Sequence, residues 1–139
     1  MSMTIDQPTI DHMVFLAKGM TERSYAPYSH FHVGAALLCD DGAIYTGCNI
    51  ENASYGATNC AERTAVFKAV SEGYHHFSAI AIAGGPEGVI GDACPPCGIC
   101  RQVLSEFCDS DMPVYLAKAD GYDEYTLGDL LPLTFDLLE

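Results

Sequence analysis

The sequence predicts an α/β fold, a three-layer α/β/α sandwich in which helices cover both faces of a mixed sheet. Three observations predict it. An N-terminal segment carries apolar residues at helical spacing, two β-rich runs then flank an Asp-Gly pair, and downstream of that hairpin the pattern alternates between short apolar runs and helix-forming stretches. At 139 residues the chain has room for one packed core, so residues 1–139 are expected to form a single domain.

The first helix is read from Thr9 to Arg23, where Ile10, Met13, Val14, Leu16, Ala17 and Met20 share a face. The stretch Ser24-Tyr25-Ala26-Pro27-Tyr28-Ser29 then breaks the pattern. Phe31 to Cys39 and Ala43 to Cys48 form the hairpin strands around Asp40-Asp41-Gly42. Asn49 to Asn59 is polar and rich in small residues, and a second helix starts near Cys60 and stops at Gly73. Phe77 to Ala83 reads as a buried strand, Gly84 to Pro96 as a Gly-Pro loop, and Cys97 to Cys108 as a third helix. Pro113 to Ala117 and Glu124 to Leu127 read as the last strands, ahead of an apolar tail from Leu130 to Leu138.

Apolar residues make up 49% of the chain and charged ones 18%, the balance of a globular protein rather than a disordered segment. The formal net charge is −13, and the six basic residues (Lys18, Arg23, Arg63, Lys68, Arg101, Lys118) never cluster. Such a surface offers no track for phosphates, which argues against a nucleic-acid polymer and for a small neutral substrate. The segment Met1 to Asp11 has neither a basic start nor an apolar signal core, and no run approaches the roughly 18 apolar residues of a membrane span. The expected setting is a reducing cytoplasm with no membrane partner, where the seven cysteines stay available for metal or packing.

The chemistry concentrates at two predicted helix starts. Cys97-Gly-Ile-Cys100 is a C-x-x-C pair whose spacing lets two thiolates converge on one ion. Cys94-Pro-Pro-Cys97 repeats that spacing, so spacing alone leaves Cys94 and Cys100 as alternative partners of Cys97. Cys60-Ala-Glu62 opens the other helix. Positions two apart project roughly 200° from each other in an ideal helix, so Cys60 and Glu62 can address one point only if it lies off the helix end. A metal is expected there, beneath helix N-termini whose dipoles favour thiolates. Three cysteine ligands leave the fourth tetrahedral position open, as in a catalytic zinc site and unlike a closed structural one. They also leave the centre negatively charged, and Arg63 and Arg101, each directly after a ligand motif, are expected to compensate by hydrogen bonding to sulfur.

These motifs resemble the zinc deaminases, in which His- or Cys-x-Glu is followed by Pro-Cys-x-x-Cys. Four blocks in order, Tyr25 to Leu38, Gly47 to Gly56, Cys60 to Ala65 and Pro96 to Val103, are similar to the short homotetrameric cytidine deaminases. The resemblance implies a five-stranded mixed sheet, one Zn2+ per subunit held by Cys60, Cys97 and Cys100 in preference to Cys94, and Glu62 as the catalytic group that moves protons. It also implies hydrolysis of free cytidine or deoxycytidine to the uracil nucleoside and ammonia, as in pyrimidine salvage. Asn49 and Glu51 would bind the ribose hydroxyls, Phe31 would pack on the pyrimidine, and the backbone around Ala61 would read the base edge. The homotetramer of the family implies a shared pocket, to which Ala53, Tyr55 and Phe135 would contribute from a neighbouring subunit. Cys39, Cys48 and Cys108 are expected in packing roles, and His30, His32, His75 and His76 away from metal.

Overall fold

The computed structural model describes residues 5–94, 96 and 98–131. Helix α1 (Gln7–Met20) starts where the Asp6 side chain accepts the Thr9 amide at 3.2 Å and Pro8 occupies the first turn, and it runs on into a short 3-10 turn, Thr21–Arg23. Strand β1 (Phe31–Cys39) turns through Asp40-Asp41-Gly42 into β2 (Ile44–Cys48). Gly42 takes φ +95° and the Asp41 carboxylate accepts the Ala43 amide, so the Asp-Gly pair acts as its sequence implies. A 3-10 turn, Tyr55–Ala57, precedes α2 (Ala61–Ser71), and there follow β3 (Phe77–Pro86), α3 (Gly98–Phe107), β4 (Pro113–Ala117), β5 (Tyr122–Thr126) and a single-turn α4 (Leu127–Leu130).

The five strands lie in the order β2-β1-β3-β4-β5, with β3 and β4 parallel and every other neighbouring pair antiparallel. The mixed sheet with flanking helices is thus the predicted architecture. Period-two alternation divides its faces. Ala36 and Leu38 of β1, Ala79, Ala81 and Ala83 of β3, and Tyr115 and Ala117 of β4 meet Ile10, Met13, Val14 and Ala17 of α1. Ala35, Leu37, Ile80, Ile82, Val114 and Leu116 point the other way, onto Ala61, Ala65, Val66 and Ala69 of α2 and Leu104 of α3.

Two departures from the predicted elements have a common cause. Strand β3 continues three residues past Ala83, because Gly84, Gly85 and Pro86 pair with Val33, His32 and Phe31 of β1. Strand β5 begins at Tyr122 rather than Glu124, because Gly121, at φ +85°, closes a second Asp-Gly turn whose carbonyl accepts the Lys118 amide at 2.9 Å. Composition in both places reads as loop, and strand pairing, with the distant β1 for β3 and with the adjacent β4 for β5, decides otherwise. Near the site, a Cβ on Gly47 of β2 would lie 2.6 Å from the Ala65 amide nitrogen, so only glycine lets the first turn of α2 press this closely on the sheet.

Candidate active site

The first turn of α2 is held from several sides. The Thr64 hydroxyl lies 3.1 Å from both the Cys48 and Cys60 carbonyl oxygens and accepts the Asn59 side-chain amide at 3.1 Å. Cys60 occupies the N-cap position in extended conformation, its side chain making no capping bond, so its sulfur projects beyond the helix end. Glu62 follows in the first turn and is 4% exposed, which makes it the one buried carboxylate among the described residues. Cys100, in the first turn of α3, is fully buried.

Charge at this junction is balanced within a few residues. Arg63 hydrogen-bonds the sulfurs of both Cys60 and Cys100, its Nη2 lying 3.3 Å from Cys60 Sγ, and these thiols hold its guanidinium above its ordinary value. The Glu62 carboxyl also hydrogen-bonds Cys100. Burial pushes its pKa up to about 7, and the negative charge of Cys60 adds to the rise. A cavity of about 210 Å³ opens beside these groups, lined by Val33, Asn49, Thr58, Asn59, Cys60, Ala61, Glu62 and Cys94. The Cys94 thiol is pushed up to about 11, first by burial and then by the nearby Glu62 and Cys60 charges, so it faces the cavity as a neutral group.

The residues expected to meet the sugar are engaged with the protein's own loops. Asn49 Oδ1 accepts the Ser24 hydroxyl and, at 2.9 Å, the Val33 amide, while its Nδ2 donates to the Phe31 carbonyl at 2.8 Å. The Glu51 carboxylate accepts the Tyr28 and Ser29 amides at 3.0 and 3.1 Å and the Ser29 hydroxyl, which holds it below the usual carboxylate range. Asn49 keeps one amide hydrogen and Glu51 one lone-pair site beyond these bonds. Together they fix the 24–30 loop and the start of β1, where Phe31 presents a partly exposed side chain. Ala61 is buried at the start of α2. Ala53 is exposed, and Tyr55, 77% exposed, packs edge-on to Tyr28 with ring centroids 6.2 Å apart. Glu51, Asn52, Tyr55, Tyr28, Ser29 and Thr58 line a second cavity of about 390 Å³.

Cys97 and Phe135 lie outside the described residues. Among the described residues Arg101 hydrogen-bonds two carbonyl oxygens, through Nε to Pro96 at 2.9 Å and Nη1 to Leu130 at 2.8 Å. Thr58, which lines both cavities, and Asn59, which braces α2 through Thr64, were not singled out from the sequence. Their signal was position alone, as the two residues leading into Cys60.

Comparison with known proteins places this geometry in a family. Residues 8–116 match the cytidine and deoxycytidylate deaminase zinc-binding region. A cytidine deaminase of Sporosarcina psychrophila is 51% identical over 127 residues, covering 91% of this chain and 90% of the relative. The crystal structure of cytidine deaminase from Burkholderia pseudomallei superposes with a TM-score of 0.82 at 45% identity, covering 90% of this chain and 98% of that one. That from Mycobacterium tuberculosis does so with a TM-score of 0.79 at 40% identity, covering 96% and 100%. The chain belongs to the zinc-binding cytidine and deoxycytidylate deaminase family.

Zinc is the metal that this family region implies. Among the described residues no three His, Cys, Asp or Glu side chains by themselves form a metal-holding group, since the third expected thiol is Cys97. The donor chemistry nevertheless fits. Two thiols converge at helix starts, a guanidinium spans both sulfurs, and the buried Arg63 Nε has no hydrogen-bond partner among the described residues. An anionic thiolate centre at this point satisfies such a cation, where two neutral thiols would leave it poorly matched. No helix among the described residues is long and apolar enough to cross a membrane.

Proposed function

We propose that this protein is a cytidine deaminase that hydrolyses free cytidine and deoxycytidine to uridine and deoxyuridine with release of ammonia, in pyrimidine salvage. One observation carries the reading: Glu62, the one buried carboxylate among the described residues, stands between two thiols at the wall of a cavity, with a pKa near 7. A carboxyl poised there can both take and give a proton at neutral pH, and hydrolytic removal of an amine needs both.

Cys60, Cys97 and Cys100 would hold one Zn2+ per chain, with Arg63 balancing the thiolate charge. Bound there, the metal supplies the Lewis acidity that makes water a competent nucleophile near neutral pH. Glu62 would accept the first proton that water loses and pass it to N3 of the pyrimidine, then take the proton of the new C4 hydroxyl and pass it to the departing amine as the C4–N bond breaks and the carbonyl forms. The free amide groups at the start of α2, around Ala61, orient the base edge. Phe31 covers the ring, and the remaining donor of Asn49 and acceptor of Glu51 meet the ribose hydroxyls. The cavity beside Glu62 is compact, and among the described residues none of its lining side chains is basic, which favours a neutral nucleoside over a phosphorylated one or a polymer.

The same reading takes residues 1–139 as one deaminase domain acting in the cytoplasm as a homotetramer. Exposed Tyr55, Ala53 and, from the C-terminal segment, Phe135 would reach a neighbouring subunit's pocket. Purified protein assayed for ammonia from cytidine, deoxycytidine and other amino-heterocycles tests the reaction. Turnover of the two nucleosides is expected, and a clear preference for a non-nucleoside would overturn it. Glu62→Gln that keeps its zinc should lose about 10²–10⁴-fold in turnover. Near-normal turnover with zinc retained would remove Glu62 from its role.

A further inference from the structure

The two carbonyl bonds of Arg101 give it a task in addition to the charge compensation expected of it. We propose that Arg101 is a positioning residue that straps Pro96, the residue before the Cys97–Cys100 pair, onto helix α4, and so slows the loss of zinc. The proposal rests on the assignment of Cys97 and Cys100 as ligands.

The strap has two ends. At one, Arg101 Nε donates to the carbonyl of Pro96, a fully buried residue immediately before Cys97. Proline has no amide hydrogen, so that carbonyl is the single backbone group through which hydrogen bonding can hold it. At the other, Nη1 donates to the carbonyl of Leu130, one of the last carbonyls of α4, which a helix this short cannot pair internally. The planar guanidinium fixes the two donors in one geometry, which a lysine ammonium does not reproduce.

Helix α4 is a firm anchor for such a strap. Its start carries a reciprocal cap, in which the Asp129 amide donates to the Thr126 hydroxyl at 3.1 Å and the Thr126 amide to the Asp129 carboxylate at 3.0 Å. The amides of Leu127 and Gly128 donate to the carbonyls of Met112 and Ser110 at 2.9 and 2.7 Å, and the Leu127 side chain is buried in the core beneath α3. Arg101 therefore joins the carbonyl of Pro96 to a part of the fold pinned by backbone bonds, side-chain caps and packing. A backbone carbonyl held one residue before a ligand limits how far that ligand can move, and metal loss needs such movement.

The test is the rate at which zinc-loaded protein gives up zinc to a chelating chromophore, measured on folded wild type, Arg101→Gln, Arg101→Lys, Thr126→Ala and the Arg101→Gln/Thr126→Ala double variant. Arg101→Gln should release zinc about tenfold faster, with Arg101→Lys close to it and Thr126→Ala accelerated by a smaller factor. The double variant should be no faster than Arg101→Gln, because both changes cut the same connection. Wild-type release from folded Arg101→Gln, or accelerations that multiply in the double variant, would overturn the strap. Should Arg101→Gln fail to fold, Thr126→Ala decides alone, faster release supporting the strap and an unchanged rate overturning it. Wild type that holds no zinc at all would remove the ligand assignment and the strap together, whereas zinc held equally well by wild type and Arg101→Gln removes the strap alone.

Discussion

The two faces of the sheet use the same strands for different ends. Toward α1 they present mainly alanines, Ala36, Ala79, Ala81, Ala83 and Ala117, which let one helix lie close and leave no room for chemistry. Toward α2 and α3 they present Ala35, Leu37, Ile80, Ile82, Val114 and Leu116, which hold two helices so that their first turns converge. Every described group of the candidate site except the residues of 24–33, a loop running into β1, and of 49–59 lies on the second face or at its edge. One layer is a scaffold, and the other brings the ends of two helices, with the thiols of Cys60 and Cys100, together around the buried Glu62.

Breaking that contrast should have its largest effect at the metal. Cys100→Ala, on the second face, should lower bound zinc well below one per chain and reduce ammonia release from cytidine to background, measured by metal analysis beside the activity assay. Next come the two cores. Leu104→Ala, one turn along α3 from Cys100, should cost about 2–5 kcal/mol in chemical denaturation and hasten zinc loss. Ala81→Val, on the α1 face, should cost about 1–3 kcal/mol through overpacking and leave zinc release and KM of the folded protein unchanged. Equal zinc loss in both variants would erase the distinction between the faces. Arg63→Gln should weaken zinc binding by about 10–100-fold in competition with a chelator, with the fold retained.

The smallest effect is expected far from the site. His76 pairs with Asp40 at 2.9 Å and with Asp109 at 3.4 Å, and the Asp40 hydrogen bond is the main cause of its raised pKa. Because the folded value lies above the ordinary 6.5, the pair's contribution is complete below that value and disappears as pH rises through the folded pKa. The ring is half exposed, so the contribution is slight. His76→Gln should remove a small fall in stability above neutral pH, read from denaturation midpoints across pH, and leave activity at pH 7 untouched.

What could be read from the residues alone follows how local each determinant is. Strands β1 and β4 have their predicted bounds, and the Asp41-Gly42 turn forms as expected, because β-propensity and turn chemistry there agree with the tertiary fold. The Cys60 and Glu62 placement was legible because two positions flanking a helix start can meet only beyond its end. The three added residues of β3 were not legible, since Gly84-Gly85-Pro86 becomes strand only by pairing with Phe31 to Val33. Nor were the partners of Arg101 and Asn49. Those bonds reach Leu130, 29 residues away, and Val33, 16 residues away, and no local pattern encodes such distances.

The central claim is that the α2 and α3 helix starts hold one zinc, without which Glu62 has no reaction to serve. The most direct measurement strips the purified protein of metal and titrates zinc back while following ammonia release from cytidine. Activity should be absent from the stripped protein and rise linearly to a plateau at one zinc per chain. Full turnover in metal-free protein, or a plateau unrelated to zinc, would contradict the account.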